Sequence, residues 1–229
     1  MYFNQPCSRM RLLDLFTGTG SVAQVATTLE YEVTTLDLIN ADICIDILKW
    51  DYSNYAEGYF DVIWASPPCQ FFSCARRSNI GRYGITHKSI EDDIIMKGLP
   101  ILWRTQEIID RLKPSYYFIE NPQTGRMKDY LTDRPYHDVD YCMYSHSARK
   151  RTRIWTNLST FVPRLCDKKC GAFDTSRNQH LFCATGGCKT QKGTGSGSSK
   201  ASRYKIPASL IHELLTLTTS ELVSDTNTT

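Results

Sequence analysis

The sequence predicts an α/β fold, with a mixed but mostly parallel sheet and helices on both faces. Short apolar runs that are typical of strands alternate with stretches of helical spacing through about the first two thirds of the chain. After residue 157 the sequence becomes polar and contains four cysteines before residue 205. We therefore expect one sheet domain with a smaller appended segment.

Four apolar runs are expected to be strands, at residues 11–16, 31–38, 59–65 and 116–119. Residues 21–30 suit the first helix. A second helix is predicted from Leu102, Ile109 and Leu112, with Pro100 in its first turn or at a kink. A glycine turn, Cys69 and Glu120 each follow one of these strands. Because sites gather at the carboxyl ends of parallel strands, the three should converge.

The glycine turn reads Asp-Leu-Phe-Thr-Gly-Thr-Gly at residues 14–20. Glycines let the backbone turn sharply beside a ligand, although many tight turns carry two of them. Asp37, at the end of the next strand, could accept hydrogen bonds from both hydroxyls of a ribose. Asp46 could accept a hydrogen bond from the amino group of an adenine. The alternative is a pair of ordinary loop carboxylates. Together the three features suit a nucleoside cofactor without a pyrophosphate, such as S-adenosylmethionine.

Cys69 lies in a Pro-Pro-Cys-Gln turn behind an apolar strand. A lone cysteine is more often a buried structural residue than a nucleophile. Here the prolines fix the backbone, and the basic residues Arg76 and Arg77 follow, where they would favour a thiolate. These features favour a nucleophile.

Glu120 ends the aromatic strand Tyr-Tyr-Phe-Ile, where a partly desolvated carboxylate can donate a proton. A carboxylate held by backbone amides is the alternative. Arg151 and Arg153 alternate along a later strand, so both guanidinium groups should point the same way, toward a carboxylate, a base oxygen or a phosphate. A basic surface strand is the simpler interpretation.

These motifs, in this order, resemble the cytosine-5 DNA methyltransferases over roughly residues 9–158, and the chain looks most like small phage or virus members. The resemblance implies a Rossmann-like, S-adenosylmethionine-dependent methyltransferase fold and methyl transfer to carbon 5 of cytosine. It also implies specific roles. The residues implied to bind S-adenosylmethionine are Phe16, Gly18, Gly20, Asp37, Asp46 and Pro67.

Within the resemblance, Cys69 attacks carbon 6 of a flipped cytosine and Glu120 protonates or hydrogen-bonds ring nitrogen 3. Arg153 holds the base oxygen, and Arg151 supports the site. Residues 71–88 are expected to form a mobile loop that closes over the base. The residues expected to contact nucleic acid are Gln70, Ser73, Arg76, Arg77 and Arg82.

Three departures from the family pattern stand out. Arg149 replaces a usual Gln, and the Gly-Asn-Ser-Val-like closing motif is missing, with residues 204–214 expected in its place. A large target-recognition domain is also reduced to residues 159–203. We expect that insert to be a remnant recognition module, followed by a helix within 204–223 that returns to the catalytic domain.

The insert carries Cys166, Cys170, Cys183 and Cys188 in the spacing C-x3-C-x12-C-x4-C, with His180 nearby. This spacing approximates a zinc site without a tight C-x2-C pair. A module too small to fold alone would gain much from a metal. The alternative is a loop with four reduced thiols.

Other functions remain open from the sequence. Ser-Pro-Pro at residues 66–68 is similar to the signature of exocyclic-amino DNA methyltransferases, but Cys69 stands where they need an aromatic residue. A tRNA cytosine-5 methyltransferase is a second alternative, and a non-catalytic protein that binds flipped bases is a third. The prediction is a monomer acting on duplex DNA, with room for an accessory specificity partner.

The net charge of +3 does not by itself indicate a nucleic-acid partner. The nine cysteines and a first segment without the apolar core of a signal peptide predict a reducing, intracellular location, in the cytoplasm or nucleus of a host. No run of 18 apolar residues predicts a membrane span.

Overall fold

The computed structural model describes residues 9–146, 148–183 and 204–226 of the 229-residue chain, without side chains at 182–183 and 222–226. Its first eight strands, in chain order, are β1 (Arg11–Leu15), β2 (Glu32–Asp37), β3 (Ile43–Cys44), β4 (Val62–Ala65), β5 (Tyr116–Pro122), β6 (Tyr136–Asp140), β7 (Ala148–Arg149) and β8 (Arg151–Thr156).

Seven of these strands form one sheet in the order β3-β2-β1-β4-β5-β8-β6. The strands β1 to β5 are parallel, whereas β8 runs antiparallel to both of its neighbours, β5 and β6. Strand order reverses beside β1, so the crevice that binds ligands in such sheets opens at the carboxyl ends of β1 and β4. The predicted mixed, mostly parallel sheet is confirmed.

Helices cover both faces of the sheet, also as predicted. The helices are α1 (Ser21–Thr28), α2 (His87–Asp93), α3 (Leu99–Leu112) and α4 (Ala208–Thr226). A π-helical turn, Ile94–Gly98, joins α2 to α3, and Pro100 stands in the first turn of α3.

Alternation along the strands divides the core between the two faces. In β1, Leu13 packs with α3 residues such as Leu102, while its neighbour Leu12 packs with α1 and α4. Leu210, Ile211, Leu214 and Leu215 of α4 are fully buried beside α1, and the Tyr31 hydroxyl donates to the backbone carbonyl of Leu215 at 3.0 Å. The last helix is therefore an integral part of the sheet domain.

Some strand bounds differ by one to three residues from the apolar runs. β1 stops at Leu15 because Phe16 takes a left-handed backbone (φ 64°), which no strand can continue. β5 extends to Pro122, beyond the aromatic run, because Glu120 and Asn121 still pair with β8.

The insert contains little regular structure among its described residues. Two-residue strands β9 (Phe173–Asp174) and β10 (Gln179–His180) form an antiparallel pair. Strand β11 (Phe182–Cys183) runs parallel to β7. Nowhere in the described ranges is a helix long and apolar enough to cross a lipid bilayer.

Candidate active site

A cavity of about 350 Å³ opens at the carboxyl ends of β1, β4 and β5. The glycine turn, the turn after β4 and the end of β5 form its walls, so the three motifs meet as the topology requires. The predicted site residues that line it are Phe16, Gly18, Asp37, Asp46, Pro67, Cys69 and Glu120.

The glycine turn is tied to the end of β2. The backbone amide of Gly18 donates to Asp37 Oδ2 at 2.9 Å, and the amide of Leu38 donates to Oδ1 at 2.7 Å. A carboxylate has about four acceptor positions, so Asp37 retains two for ligand hydroxyls. Gly20 does not line the cavity; its left-handed backbone (φ 70°) instead begins α1.

Asp14 is a buried carboxylate on the cavity wall with no cation beside it in the described part of the chain. Burial raises its pKa to about 7, while a hydrogen bond from the Thr17 hydroxyl and one from the Ala23 backbone oppose the rise, and the Asp37 charge adds to it. A ligand cation would remove this desolvation penalty. Asp14 therefore suits a positively charged group in the cavity.

Cys69 is half-buried and its turn is anchored to β5. The Asn121 side-chain amide donates to the Pro67 carbonyl at 2.9 Å. Burial raises the pKa of the Cys69 thiol, the Glu120 carboxylate raises it further, and Lys150 lowers it. The expectation that Arg76 and Arg77 favour a thiolate is therefore wrong for this arrangement. The charged side chains that act on the sulfur are Glu120 and Lys150.

Glu120 is buried and held by two donors. The Tyr141 hydroxyl donates to Oε1 at 2.7 Å, and Lys150 Nζ lies 3.4 Å from the same oxygen. Lys150 also lies over the Tyr141 ring, 4.8 Å from its centre. One carboxylate oxygen is thus fixed by protein donors, which leaves the other, Oε2, for a ligand.

Arg151 and Arg153 point the same way, as their alternation predicts, but neither lines the cavity. Arg151 forms two hydrogen bonds with Asp140, at 3.0 and 2.7 Å, and Arg153 forms two with Asp138, at 2.7 and 2.9 Å. These carboxylates stand directly opposite on β6, and a paired Arg–carboxylate fork is a strong interaction. Among the described residues, the cation that lines the cavity is Lys150.

The residues expected to contact nucleic acid fall into two groups. Gln70, Ser73 and Arg76 line an open groove that begins at Cys69. Arg76 is already paired with Asp93 at 2.5 Å. Arg77 and Arg82 lie outside this groove, exposed on the 71–88 segment. Their roles stay predictions, as does the closing motion of that segment.

The candidate metal ligands are brought together only in part. Cys166 and Cys170 lie with Cys142 and His180, and the four ligand atoms are within 4.8 Å of one another. The side chain of Cys183 and all of Cys188 lie outside the described residues.

Four residues of the site were not singled out from the sequence. Asp14 carried a signal, because a carboxylate inside an apolar strand is unusual. Lys150 also carried a signal. It directly precedes Arg151, so in an extended chain its side chain points to the opposite side from those of Arg151 and Arg153. Tyr141 and Asn121 carried none that a single sequence reveals, because their partners are 21 and 54 residues away.

Comparison with known proteins identifies the family to which the chain is similar. Residues 10–129 match the family described as C-5 cytosine-specific DNA methylase. The chain is also 45% identical, over 217 residues, to a protein named probable DNA (cytosine-5)-methyltransferase from Frog virus 3. That match covers 91% of this chain and 100% of the viral protein.

Solved methyltransferases are similar at lower identity. The Entamoeba histolytica methyltransferase EhMeth is 14% identical, with a TM-score of 0.48 and coverage of 69% of this chain and 56% of that one. The S. pombe Dnmt2 methyltransferase is 14% identical, with a TM-score of 0.39 and coverage of 65% and 49%. The chain therefore spans about half the length of these solved proteins.

The predicted resemblance is confirmed by the family match, which covers more than half of the chain, and by the viral relative along its whole length. The chain belongs to the C-5 cytosine-specific DNA methylase family.

Proposed function

We propose that this protein transfers a methyl group from S-adenosylmethionine to carbon 5 of cytosine in duplex DNA, through a covalent bond between Cys69 and the base. The observation that carries the proposal is the shared cavity. Asp37 and Asp46, the Cys69 thiol and the buried Glu120 carboxylate line this one cavity at the same sheet edge, and this supports the proposal.

The pocket residues fit S-adenosylmethionine chemically. Asp37 has free acceptor positions for the ribose hydroxyls, and Asp46 lies on the same wall for the adenine amino group. Asp14 lacks a cationic partner among the described residues, and the cofactor carries an ammonium and a sulfonium. When bound, the cofactor supplies an electrophilic methyl group on that sulfonium.

Cys69 supplies the activation that the aromatic base needs. Its sulfur forms a bond to carbon 6, and the electrons of the 5,6 double bond move into an enamine that ends at nitrogen 3. Carbon 5 then accepts the methyl group. Carbon 5 then loses its proton to solvent, the Cys69 thiolate departs, and nitrogen 3 returns its proton to Glu120, which restores the aromatic ring. The thiolate takes back from solvent the proton that the thiol released before attack, so the protein ends as it began.

Glu120 and its neighbours explain how a thiol of raised pKa becomes reactive. In the free protein, the Glu120 charge helps to raise the pKa of Cys69. When the base binds, Glu120 takes up a proton and shares it with nitrogen 3. The negative charge of Glu120 then no longer acts on the Cys69 sulfur. Lys150 continues to favour the thiolate. Base binding and thiol activation are thus coupled through one carboxylate.

Duplex DNA is the proposed substrate because the groove beside Cys69 is open and carries Gln70, Ser73 and Arg76. A target base must leave the helix to reach the cavity, at a cost of about a few kcal/mol. We infer that side chains of this groove hold the backbone of the displaced nucleotide. Arg76 would exchange its Asp93 partner for a phosphate.

The remaining proposals concern the setting. We propose a monomeric enzyme that acts inside a host cell, in the cytoplasm or nucleus, where its DNA substrate and a reduced Cys69 coexist. The reduced insert leaves room for a specificity partner.

The test is a methyl-transfer assay with labelled S-adenosylmethionine and three substrates: duplex DNA, single-stranded DNA and tRNA. Nucleoside mass spectrometry identifies the product. The proposal expects 5-methylcytosine in duplex DNA. A product found only in tRNA, or a methyl group on the exocyclic nitrogen, would overturn it. Cys69→Ala should abolish the product while S-adenosylmethionine still binds.

A further inference from the structure

We propose that the insert is fastened to the catalytic domain by one structural zinc ion, bound by Cys142, Cys166, Cys170 and His180. The four ligand atoms lie within 4.8 Å of one another. Two ligands come from the turn at Cys166–Cys170 and one from β10. The fourth, Cys142, comes from the segment that follows β6, in the catalytic domain.

The distances fit a tetrahedral site. With Zn–S of about 2.3 Å and Zn–N of about 2.0–2.1 Å, a tetrahedron has edges of about 3.8 Å between sulfurs and about 3.6 Å between sulfur and nitrogen. Here the Cys166 and Cys170 sulfurs are 3.5 Å apart, and His180 Nε2 is 3.4 and 3.3 Å from them. A disulfide, at about 2.05 Å, is a different geometry.

The local backbone is shaped for thiolate ligands. Lys168 takes a left-handed conformation (φ 73°), which turns the chain so that Cys166 and Cys170 face one point. The Lys168 amide donates to the Cys166 sulfur at 3.3 Å. Pairing of His180 with Phe173 across β9 and β10 fixes the imidazole, whose ring packs edge-on to Phe173 at 5.2 Å.

The ligand chemistry selects the metal. Three thiolates and one imidazole form a soft donor set, which favours zinc over magnesium or calcium. Four protein ligands complete the coordination shell and leave no open position for a substrate. The site is therefore structural rather than catalytic.

A metal would supply the folding free energy that the insert cannot obtain from a hydrophobic core of its own. Strands β9, β10 and β11 have two residues each, which is too little to form an independent core. Such modules gain their folding free energy from the ion. Because Cys142 belongs to the catalytic domain, the same ion would also hold the insert in place beside the active site.

The metal ligand Cys142 lies within two residues of Asp140, which pairs with Arg151, and of Tyr141, whose contact reaches the catalytic centre. Asp140 pairs with Arg151 and accepts the Cys166 amide at 2.8 Å. Tyr141 donates to Glu120 at 2.7 Å. Since Asp140, Tyr141 and Cys142 are consecutive, metal loss should loosen the hydrogen bond that positions Glu120. This last step rests on the proposed function, whereas zinc binding does not.

The ligand set differs from the one that the spacing alone predicted. The Cys166 and Cys170 pair is retained, while Cys142 and His180 take the places expected for Cys183 and Cys188. The two sets give opposite expectations for four single variants, which makes the proposal directly testable.

The experiment measures zinc in the purified full-length protein by elemental mass spectrometry, and then exchanges cobalt for zinc and records the visible spectrum. The proposal expects one zinc per chain and the intense absorption of tetrahedral, thiolate-bound cobalt. Cys142→Ser should lose most of the bound metal. The matched controls Cys44→Ser, Cys183→Ser and Cys188→Ser should retain a full equivalent.

His180→Cys guards against a variant that fails to fold, because a fourth thiolate still completes the site. It should bind one metal with stronger sulfur-to-cobalt charge transfer. Wild-type protein without stoichiometric zinc or cobalt would overturn the proposal. So would loss of metal in Cys183→Ser or Cys188→Ser with retention in Cys142→Ser. None of these measurements depends on methyl transfer, so they stand even if the protein proves inactive on DNA.

Discussion

The two walls of the active-site cavity were unequally predictable. One wall is formed by the glycine turn and the Cys69 turn, which follow the parallel strands β1 and β4. Its residues lie where the motifs predict. The opposite wall is formed by the end of β5 and by Lys150, which lies between β7 and β8 and reaches the cavity, whereas Arg153 does not. Topology alone brings strand ends together. Which side chains a strand turns inward also depends on the strand beside it.

Glu120→Gln should have the largest effect on kcat. It tests whether the carboxylate at the end of β5 donates the proton to the base. An amide cannot protonate nitrogen 3, so kcat should fall by about 10²–10⁴-fold. Single-turnover methyl transfer measures this rate, and the affinity for S-adenosylmethionine should stay nearly constant. A near-wild-type rate would remove Glu120 from the mechanism. Glu107→Gln, a change outside the cavity, is the matched control.

Asp14→Asn should change how stability depends on pH. The Asp14 pKa is about 7 in the folded protein against 3.8 for a free carboxyl. Between these values the folded state holds a proton that the unfolded state has lost. The cofactor-free wild type should therefore lose stability as pH rises, by on the order of a few kcal/mol.

Denaturant unfolding at about pH 5 and about pH 8 measures this loss, which the variant should largely lack. Asp92→Asn, at an exposed carboxylate of α2, should keep the wild-type pH dependence. The same Asp14→Asn change should weaken binding of S-adenosylmethionine, because the carboxylate for its cationic group is gone. An unchanged pH dependence in Asp14→Asn would contradict this account.

Lys150→Met and Arg153→Met compare the cation that lines the cavity with the arginine that pairs with Asp138 on β6. Losing the charged donor to Glu120 costs about 1.5–3 kcal/mol, so Lys150→Met should lower kcat by roughly 10–100-fold. Arg153→Met removes the partner of Asp138 and should lower the free energy of unfolding while changing kcat little. Steady-state kinetics and denaturation of both variants measure this. A larger fall in kcat for Arg153→Met would restore the arginine to the base-binding role that the family pattern implies.

Alkylation of Cys69 should show the smallest effect. Burial and Glu120 raise the pKa of the thiol, so iodoacetamide should react slowly near neutral pH and faster as the pH rises. Lys150 lowers that pKa, so Lys150→Met should shift the profile to higher pH. Arg76→Met should not shift it. Peptide mass spectrometry isolates the Cys69 signal, and a shift with Arg76→Met instead would favour the basic-loop explanation.

The predictable part of the molecule is the part in which local patterns and topology agree. Apolar runs gave β1, β2, β4 and β5 to within one to three residues, and the strand ends then brought Gly18, Cys69 and Glu120 to one cavity. These positions follow from chain order in a parallel sheet, without knowledge of any side-chain contact.

The unpredicted part depends on partners far along the chain. Arg151 and Arg153 turn toward β6 because Asp140 and Asp138 stand opposite them, which requires the pairing register of β6 and β8. Cys142 joins the insert cysteines although it lies 24 positions before Cys166. Spacing within the insert therefore could not indicate that Cys142 joins the candidate metal ligands.

Trapping Cys69 on its substrate tests the central claim most directly. Duplex DNA with 5-fluorocytosine and S-adenosylmethionine should stop the reaction after methyl transfer, because fluorine at carbon 5 cannot leave as a proton. We predict a denaturant-stable complex between protein and DNA, with the modified peptide containing Cys69. Cys74→Ala should still form it, and Cys69→Ala should not. A complex formed by Cys69→Ala, or 5-methylcytosine produced by that variant, would contradict the account.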